Sequence, residues 1–295
     1  MLQWKTFLVF CFYFNLPWLP TTSEVVCLYA QFLSQSFRAT SSIRNYVSGV
    51  KTLHSLLELD IAMFQTTELK LALKGLARLK PHCPKQAAPI TPHILRAMAG
   101  HMDFSLPEHR VYWALFLFAF FTFARKSNLV SSPKSNNQVR RGDIKVRKSG
   151  LLVCFRWSKT NQFGSRKHFV PVVAIPGSIL CPVQAYKKMI SLVPGGPDSP
   201  AFLLPHPDSE PTPVSYPQLQ VFLRHIVSRT GLDSSQFSSH SFRRGGATWA
   251  FRSRVPGELI KSHGDWASDA YLKYLDLTID QRLTVAQTMV QSLPP

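Results

Sequence analysis

The feature of this sequence that most restricts its fold is a run of thirteen mostly apolar residues at positions 112–124, YWALFLFAFFTFA. A helix that crosses a bilayer needs about 20 such residues, so this run is too short to span a membrane. A helix that is apolar on every side is typical of the centre of a globular core. The run therefore predicts a helix buried on all sides, and Arg125, which follows it directly, is expected at the edge of that core.

Residues 1–80 show the apolar spacing of several short helices. The predicted helices are SEVVCLYAQFLSQSF capped by Ser23, SIRNYVSGVKTLHSLL capped by Ser41 or Ser42, and TTELKLALKGLARLK opened by Thr66. The polar faces of the last two helices carry basic side chains, namely Arg44, Lys51, His54, Lys70, Lys74, Arg78 and Lys80. This one-sided charge fits a helical bundle that lies on a phosphate backbone, and it fits an ordinary solvated helix face equally well.

The first twenty residues resemble a signal peptide in one respect, because a single Lys precedes an apolar run. The run is rich in aromatic residues, however, and no small-x-small cleavage site follows it. We therefore interpret these residues as part of the helical N-terminal region, and we expect no membrane partner.

The rest of the chain predicts a mixed domain behind a linker. The segment PHCPKQAAPITP at 81–92 is rich in proline and has no apolar period, which is typical of a linker. Residues 143–174 change to three strand-like segments, DIKVRKSG, LLVCFRW and HFVPVVA, with a turn over 159–166 between the last two. Helical patterns return after Pro182 and over 216–229.

These patterns predict a fold class that is mostly α with a small antiparallel β-sheet. Residues 1–80 are expected to form a helical domain, 81–92 the linker, and 93–295 a mixed α+β domain. A chain of 295 residues is long enough to bury two cores of this kind.

The charge balance restricts the partner. Lys and Arg number 34 against 16 Asp and Glu, which gives a net charge of +18. A folded chain with this charge favours a polyanion, either nucleic acid through counterion release or an acidic lipid surface, although a basic surface without a partner has the same composition. The five cysteines include no CxxC pair, which argues against a disulfide framework and a zinc site and for a reducing compartment.

The stretch at 238–274, SSHSFRRGGATWAFRSRVPGELIKSHGDWASDAYLKY, carries the residues best suited to chemistry. If Ser239 caps a helix, His240 and Arg243 lie three apart on one face of its N-terminus. A helix N-terminus carries unpaired N–H groups and the positive end of the helix dipole, so this end suits a phosphate. With Tyr274 about thirty residues later, the set fits phosphoryl transfer without a metal.

Glycines in the same stretch predict local geometry. Gly245 and Gly246 lie inside the predicted helix, where each Gly costs about 1 kcal/mol. They therefore indicate close approach to a packed neighbour or to nucleic acid. Residues 256–263 predict a short helix that ends at Gly264 as a left-handed cap.

The set Arg125, Lys159, His240, Arg243 and Tyr274 resembles the catalytic domain of the tyrosine recombinases, the phage integrase family. More narrowly, FARKSNL, HSFRRGGATWAF and GDWASDAYLKYL look like the recombinases of DIRS-like, Ngaro and Crypton eukaryotic mobile elements. The resemblance covers nearly the whole chain. It implies a SAM-like helical core-binding domain at the N-terminus, followed by the recombinase catalytic domain.

The resemblance also implies a role for each residue of the set. Tyr274 would attack a DNA phosphodiester and form a 3′-phosphotyrosyl bond. Arg125 and Arg243 would bind the non-bridging oxygens of the transition state. Lys159 would protonate the leaving 5′-oxygen, and His240 would handle the tyrosine proton. The family requires no metal and no cofactor.

One position departs from the family pattern, which commonly has Gly-His or Gly-Trp nine residues before the nucleophile. Counting back from Tyr274 gives Asp265, with Trp266 next to it and His263 two residues before it. We assign the role to Trp266, as a packing and N–H donor group, with His263 as the second choice. A helix, AYLKYLDL, is predicted to carry both candidate tyrosines, and Tyr271 is expected to be a core aromatic.

The function implied by the resemblance is that of a site-specific recombinase or integrase, a metal-independent DNA strand transferase that integrates or excises a transposable element. Double-stranded DNA is the expected partner, with a homotetramer on two duplexes, and the nucleus is the expected location. Two alternatives stay open. One is a DNA-binding protein that descends from such a recombinase and has lost the chemistry, and the other is a type IB topoisomerase-like enzyme.

Overall fold

The computed structural model describes residues 2–82, 86–132, 137–158, 161, 166–275, 279, 283 and 287. The chain divides into two compact units, Met1–Lys85 and Gln86–Pro295. The division falls inside the stretch that the sequence predicts as a linker. Within the described part of the chain, no helix combines the length and the apolarity that crossing a bilayer requires.

The first unit is helical. It contains α1 (Leu2–Tyr13), α2 (Ser23–Ser36), α3 (Thr40–Leu56), a short 3₁₀ segment (Ala62–Gln65) and α4 (Thr67–Leu79). The side chain of Thr22 caps α2 and that of Thr66 caps α4, while α3 starts without a side-chain cap. The predicted helices are therefore present, but the Ser caps predicted for α2 and α3 are wrong. Apolar side chains from α1 to α4 form one core.

His54 corrects the prediction of a uniformly basic face on α3. Its side chain is buried, and its Nε2 accepts a hydrogen bond from the Thr21 backbone N–H at 3.2 Å. The Nδ1 atom lies 3.0 Å from the Val50 carbonyl, to which it donates. Helical spacing alone groups His54 with the basic residues, whereas a buried N–H far along the chain requires an acceptor at this position. The other members of the predicted basic face stay at least partly exposed: Arg44, Lys51, Lys70, Lys74, Arg78 and Lys80.

The second unit is mixed. Its helices are α5 (Pro92–Ala99), α6 (Pro107–Thr122), α7 (Lys126–Leu129), α8 (Pro182–Leu192), α9 (Tyr216–Arg229), α10 (Ser239–Arg252) and α11 (Gly257–His263). The strands β1 (Ile144–Val146), β2 (Gly150–Phe155) and β3 (His168–Val173) form an antiparallel sheet in the order β1-β2-β3. A two-residue antiparallel pair, β4 (Leu203–Leu204) and β5 (Thr212–Pro213), lies between α8 and α9. The predicted fold class, mostly α with a small antiparallel sheet, is confirmed.

Helix α6 is the centre of this unit. It is buried on every side from Val111 to Phe120, as the apolar run predicts. Phe116 stacks on Phe242 of α10, and Phe118 meets Phe155 of β2 edge-on. The helix therefore lies between α10 and the sheet, and its C-terminal end reaches the point where these elements meet.

Two glycines let α10 approach its neighbours backbone to backbone. A Cβ atom on Gly245 would lie 1.8 Å from the Ile90 carbonyl oxygen, and one on Gly246 would lie 2.2 Å from the Phe120 carbonyl oxygen. The Ile90 N–H in turn bonds to the Ser241 carbonyl at 3.0 Å. The close approach predicted from these glycines is therefore made to packed protein, and it fixes α10 against the end of α6.

We expect Gly246→Ala to lower the free energy of unfolding of the second unit by at least about 3 kcal/mol, because the added methyl group overlaps a backbone oxygen. Urea unfolding measures the change. Gly75→Ala in α4 is the matched control, since its Cβ would meet nothing within 4 Å and the change is expected to stabilise the helix by up to about 1 kcal/mol. Equal stability of the two variants would contradict the close packing of α10.

The C-terminal part of the stretch differs from its prediction in two places. Gly264 has φ −89°, so it is not a left-handed cap; instead, a Cβ atom there would lie 1.7 Å from a ring carbon of Trp266. The residue that does take a left-handed conformation is Asp265, with φ 53°. The segment carrying the two tyrosines is a 3₁₀ helix, Asp269–Tyr274, capped by Ser268, where the sequence predicts an α-helix.

Candidate active site

The site lies where α6, α10 and α11 meet. Arg125 follows the C-terminal end of α6, whereas His240 and Arg243 lie in the first turns of α10. Trp266 follows α11, and Tyr274 ends the 3₁₀ segment after it. Lys159, which the sequence also predicts as a site residue, lies outside the described residues.

Arg243 is the centre of the cluster and is only 2% exposed. Its Nη1 donates to the Phe123 carbonyl, and its Nη2 donates to the Gly264 carbonyl at 2.7 Å. The guanidinium carbon lies 3.7 Å from the ring centroid of Trp266 and 5.5 Å from that of Tyr274. Burial, followed by the charge of Arg125, lowers the pKa of Arg243 to about 9, so that it is still charged at neutral pH.

The C-terminal end of α6 provides a hydrogen-bond acceptor for the Arg243 guanidinium. Phe123 has φ 51°, a left-handed conformation that is rare for a bulky residue and ends the helix abruptly. Its carbonyl group then accepts the hydrogen bond from Arg243. A guanidinium is favourable here because the C-terminal end of a helix carries partial negative charge.

Arg125 is bound to the segment after α11. Its Nη2 donates to the Asp265 carbonyl at 3.1 Å, and its Nη1 lies 4.0 Å from a carboxylate oxygen of the same residue. Burial lowers the pKa of Arg125, whereas the charges of Asp265 and Tyr274 raise it. Two guanidinium groups therefore lie in one partly buried cluster, a donor arrangement suited to an anion with several oxygens.

Tyr274 and Tyr271 have different surroundings. The Tyr274 ring lies 5.4 Å from Trp266 and faces Arg243, and the Tyr274 backbone carbonyl accepts a hydrogen bond from Thr248 of α10 at 3.0 Å. The Tyr271 ring lies 6.2 Å from Trp266, with its hydroxyl group close to Gly257. Of the two rings, that of Tyr274 is the one in contact with the guanidinium of Arg243.

The two candidates for the position before the nucleophile also differ. The Trp266 ring contacts both Arg243 and Tyr274. His263 packs against Phe123 with ring centroids 4.6 Å apart, and its Nε2 donates to the Phe121 carbonyl at 2.8 Å. Burial lowers the pKa of His263. The role of either side chain in catalysis stays a prediction, as do the roles of the other site residues.

His240 lies at the N-terminal end of α10 with its side chain partly exposed. Partial burial lowers its pKa, and three neighbouring cations, Lys126, Arg243 and Arg125, lower it further. These charges favour the uncharged imidazole, which is the form that can accept a proton.

We expect Lys126→Gln to raise the pKa of His240, because the change removes the neighbouring charge that opposes protonation most strongly. The acid limb of any activity that requires the uncharged imidazole would then move to higher pH. An NMR titration of the His240 ring protons measures the shift, and Lys145→Gln on the exposed side of β1 is the control. An unchanged His240 titration would contradict the electrostatic coupling across α7 and α10.

Three residues near the cluster are not predicted as site residues by the sequence. Asp265, which sequence counting uses only as a marker of spacing, accepts hydrogen bonds from Ser158 and Arg166 through its carboxylate. A small cavity beside them is lined by both arginines of the predicted set, among other residues. An acidic residue beside the predicted site of so basic a chain is a signal that sequence analysis could have used. Its partners lie about a hundred positions away, however, so the sequence alone does not identify them. None of the described residues forms a group of three or more His, Cys, Asp or Glu side chains that could hold a metal.

The fold is similar to solved structures of tyrosine recombinases. XerH site-specific recombinase bound to palindromic difH substrate matches with a TM-score of 0.59 and 14% identity, covering 92% of this chain and 70% of that one. The Tn1549 transposon integrase in complex with transposon right end DNA matches with a TM-score of 0.60 and 12% identity over 91% and 85%. A lambda integrase dimer bound to a COC′ core site matches with a TM-score of 0.56 and 16% identity over 86% and 80%.

At these identities the similarity shows the fold, which is that of the tyrosine recombinase structures: mostly helical with small antiparallel sheets. No protein-family model matches the chain, and no curated protein matches it. The closer affinity to DIRS-like, Ngaro and Crypton elements stays a prediction from the sequence motifs.

Proposed function

We propose that this chain is a tyrosine recombinase that cuts and rejoins DNA strands through a 3′-phosphotyrosyl intermediate. The observation that carries the proposal is the contact of Arg243 with both Trp266 and Tyr274, 3.7 and 5.5 Å from the ring centroids. A phenol beside a charged guanidinium, with Arg125 in the same cluster, suits attack on a phosphodiester. The similar structures, which are of recombinases or integrases bound to DNA, support the same interpretation.

In the proposed step the Tyr274 oxygen attacks the phosphorus atom. The bond between that oxygen and phosphorus forms as the bond from phosphorus to the 5′-oxygen breaks, so the phosphoryl group changes partner without hydrolysis. His240 accepts the phenol proton and Lys159 gives a proton to the departing 5′-oxygen. Arg125 and Arg243 stabilise the additional negative charge on the non-bridging oxygens. Rejoining is the same step in reverse, with the 5′-hydroxyl of another strand.

We further propose the biological setting that the sequence motifs imply. The enzyme integrates or excises a transposable element in the nucleus, and it acts as a homotetramer on two duplexes. The first unit serves as the core-binding domain, with the basic residues of α3 and α4 on the DNA backbone. The exposed positions of Lys70, Lys74 and Arg78 support that role, since neutralised phosphates release counterions.

The test is capture of a covalent DNA adduct. Because the target sequence is part of the question, the full-length protein is mixed with a library of nicked duplexes that carry a randomised central segment. A nick beside the cleavage point lets the short 5′-hydroxyl strand diffuse away and traps the enzyme on DNA. Denaturation and phenol partition recover protein-linked DNA for sequencing. An enriched sequence linked to protein is the expected result, and an absence of linked DNA above a protein-free control contradicts the proposal.

The two alternatives give different results on the recovered sequence. A binding protein without chemistry retards the DNA in a gel but forms no denaturation-resistant adduct. A type IB topoisomerase forms the adduct and relaxes a supercoiled plasmid, but it joins no strands between two duplexes. Joining between two differently labelled duplexes is the outcome that favours the recombinase.

A further inference from the structure

The Asp265 side chain makes a set of contacts that the proposed chemistry does not use. It is 7% exposed, and its two carboxylate oxygens accept hydrogen bonds from different residues, one from Arg166 and the other from Ser158. The backbone carbonyl of the same residue accepts from Arg125 at 3.1 Å. A buried carboxylate is costly unless it is paired, and these hydrogen bonds offset the cost of burying Asp265.

Ser158 and Arg166, which donate to this carboxylate, lie near opposite ends of the connection between β2 and β3. Ser158 lies three residues after the end of β2, and Arg166 lies two residues before the start of β3. Asn161, which is also buried, links the two ends of this connection, because its Nδ2 donates to the carbonyl groups of Arg156 (3.3 Å) and Arg166. Ser158 and Asn161 also exchange backbone hydrogen bonds of 3.3 and 3.0 Å. The Asp265 carboxylate is therefore hydrogen-bonded to residues near both ends of the connection.

The backbone at Asp265 explains how one residue can make contacts in two directions. Its left-handed conformation, φ 53°, turns the carbonyl group toward Arg125 while the side chain contacts Ser158 and Arg166 in the β2–β3 connection. A non-glycine residue with positive φ is uncommon, although Asp and Asn tolerate it best. The next residue is Trp266, which contacts Arg243 and Tyr274. Asp265 therefore joins the nucleophile segment to the end of the β2–β3 pair.

We propose that Asp265 is a positioning residue for strand cleavage, which holds Ser158 and Arg166 against the segment that carries Trp266 and Tyr274. This inference rests on the proposed function. Lys159, the predicted proton donor to the 5′-oxygen, follows Ser158 directly in the sequence. Proton transfer to a leaving group requires a donor within hydrogen-bond reach. Because Lys159 is covalently joined to Ser158, fixing the position of Ser158 favours that placement. The carboxylate therefore acts on the departure of the 5′-oxygen through the residues that it holds.

The experiment compares two leaving groups with Asp265→Asn. Asn keeps the left-handed backbone preference and one acceptor, but its amide nitrogen cannot accept the second hydrogen bond. Single-turnover cleavage is measured on the DNA recovered by adduct capture, and on the same DNA with sulfur in place of the bridging 5′-oxygen. A thiol ionises near pH 8.5, so the sulfur leaves without a proton donor. We expect a loss of roughly a hundredfold on the oxygen substrate and a loss of less than about fivefold on the sulfur substrate.

Asp143→Asn is the matched control. Asp143 is 5% exposed and pairs with Arg156, whose side chain is 60% exposed, much as Asp265 pairs with Arg166 at 53%. It lies beside β1 and takes no part in the cluster. We expect this variant to cleave both substrates at the wild-type rate. That result would show that the loss of a buried carboxylate near the sheet does not by itself make cleavage depend on the leaving group.

The other outcomes each overturn one statement. Equal losses on both substrates, or no loss on either, overturn the positioning role of Asp265 while strand cleavage by the wild type stands. Failure of the wild-type protein to cleave either substrate overturns the proposed function itself. If the melting temperature shows that Asp265→Asn does not fold, Ser158→Ala removes one donor from the opposite side of the contact. The same selective loss is then expected for Ser158→Ala, and its absence overturns the inference.

Discussion

Replacing Tyr274 with Phe is expected to reduce the covalent DNA adduct by at least about a thousandfold, because no other group can take over the attack once the phenol oxygen is removed. The ring contacts with Trp266 and Arg243 are kept in this variant, since Phe preserves the aromatic ring. DNA retardation by the folded protein should therefore change little. The measurement is the fraction of labelled suicide duplex that migrates with the protein after denaturation.

Tyr271→Phe is the control for this prediction. Tyr271 lies three residues earlier on the same 3₁₀ segment and also contacts Trp266, but its hydroxyl group lies beside Gly257. The control should form adduct at close to the wild-type rate. Adduct formation that survives in Tyr274→Phe and disappears in Tyr271→Phe would show that the nucleophile has been assigned to the wrong ring.

The second large effect is expected for Arg243→Lys, which should lower the cleavage rate by at least about a hundredfold and the free energy of unfolding by about 2–4 kcal/mol. Lys has a single ammonium group and cannot bridge the Phe123 and Gly264 carbonyl groups in the fixed geometry of a guanidinium. It also loses the planar contact with Trp266. Single-turnover kinetics and urea unfolding measure the two losses separately.

Arg224→Lys, on an exposed position of α9, is the control for the same substitution and should change neither quantity. Kinetic and thermodynamic losses at Arg243 should both be present, because the residue holds the end of α6 and faces the nucleophile. A normal cleavage rate in a destabilised Arg243→Lys protein would mean that the guanidinium is structural only.

Much of the fold follows from patterns that are local in the sequence. The apolar run predicts the buried helix α6 because no charged residue interrupts it, and the change of pattern over 143–174 predicts the three strands of the sheet. The sequence also predicts the close approach at Gly245 and Gly246, because glycine in a helix interior has a cost that needs a reason. The positions of Arg243 and Tyr274 in one cluster agree with their assignment to one site, although their chemical roles are still predictions.

The features that sequence reasoning missed depend on partners far along the chain. His54 is buried because the Thr21 N–H, 33 positions away, needs an acceptor. Gly264 is required by the ring of Trp266 and not by a left-handed cap. Asp265 binds residues 99 and 107 positions before it. No local period or spacing rule contains such distances, so these residues become meaningful only in three dimensions.

The concealment of Arg243 has a consequence for a protein this basic. A chain with a net charge of +18 attracts many kinds of RNA, DNA and acidic molecules in a cell. Such ligands can neutralise the lysines on the outside, but a guanidinium with 2% of its surface exposed stays out of their reach. Binding of such polyanions to the exposed surface therefore leaves the charge of Arg243 unneutralised.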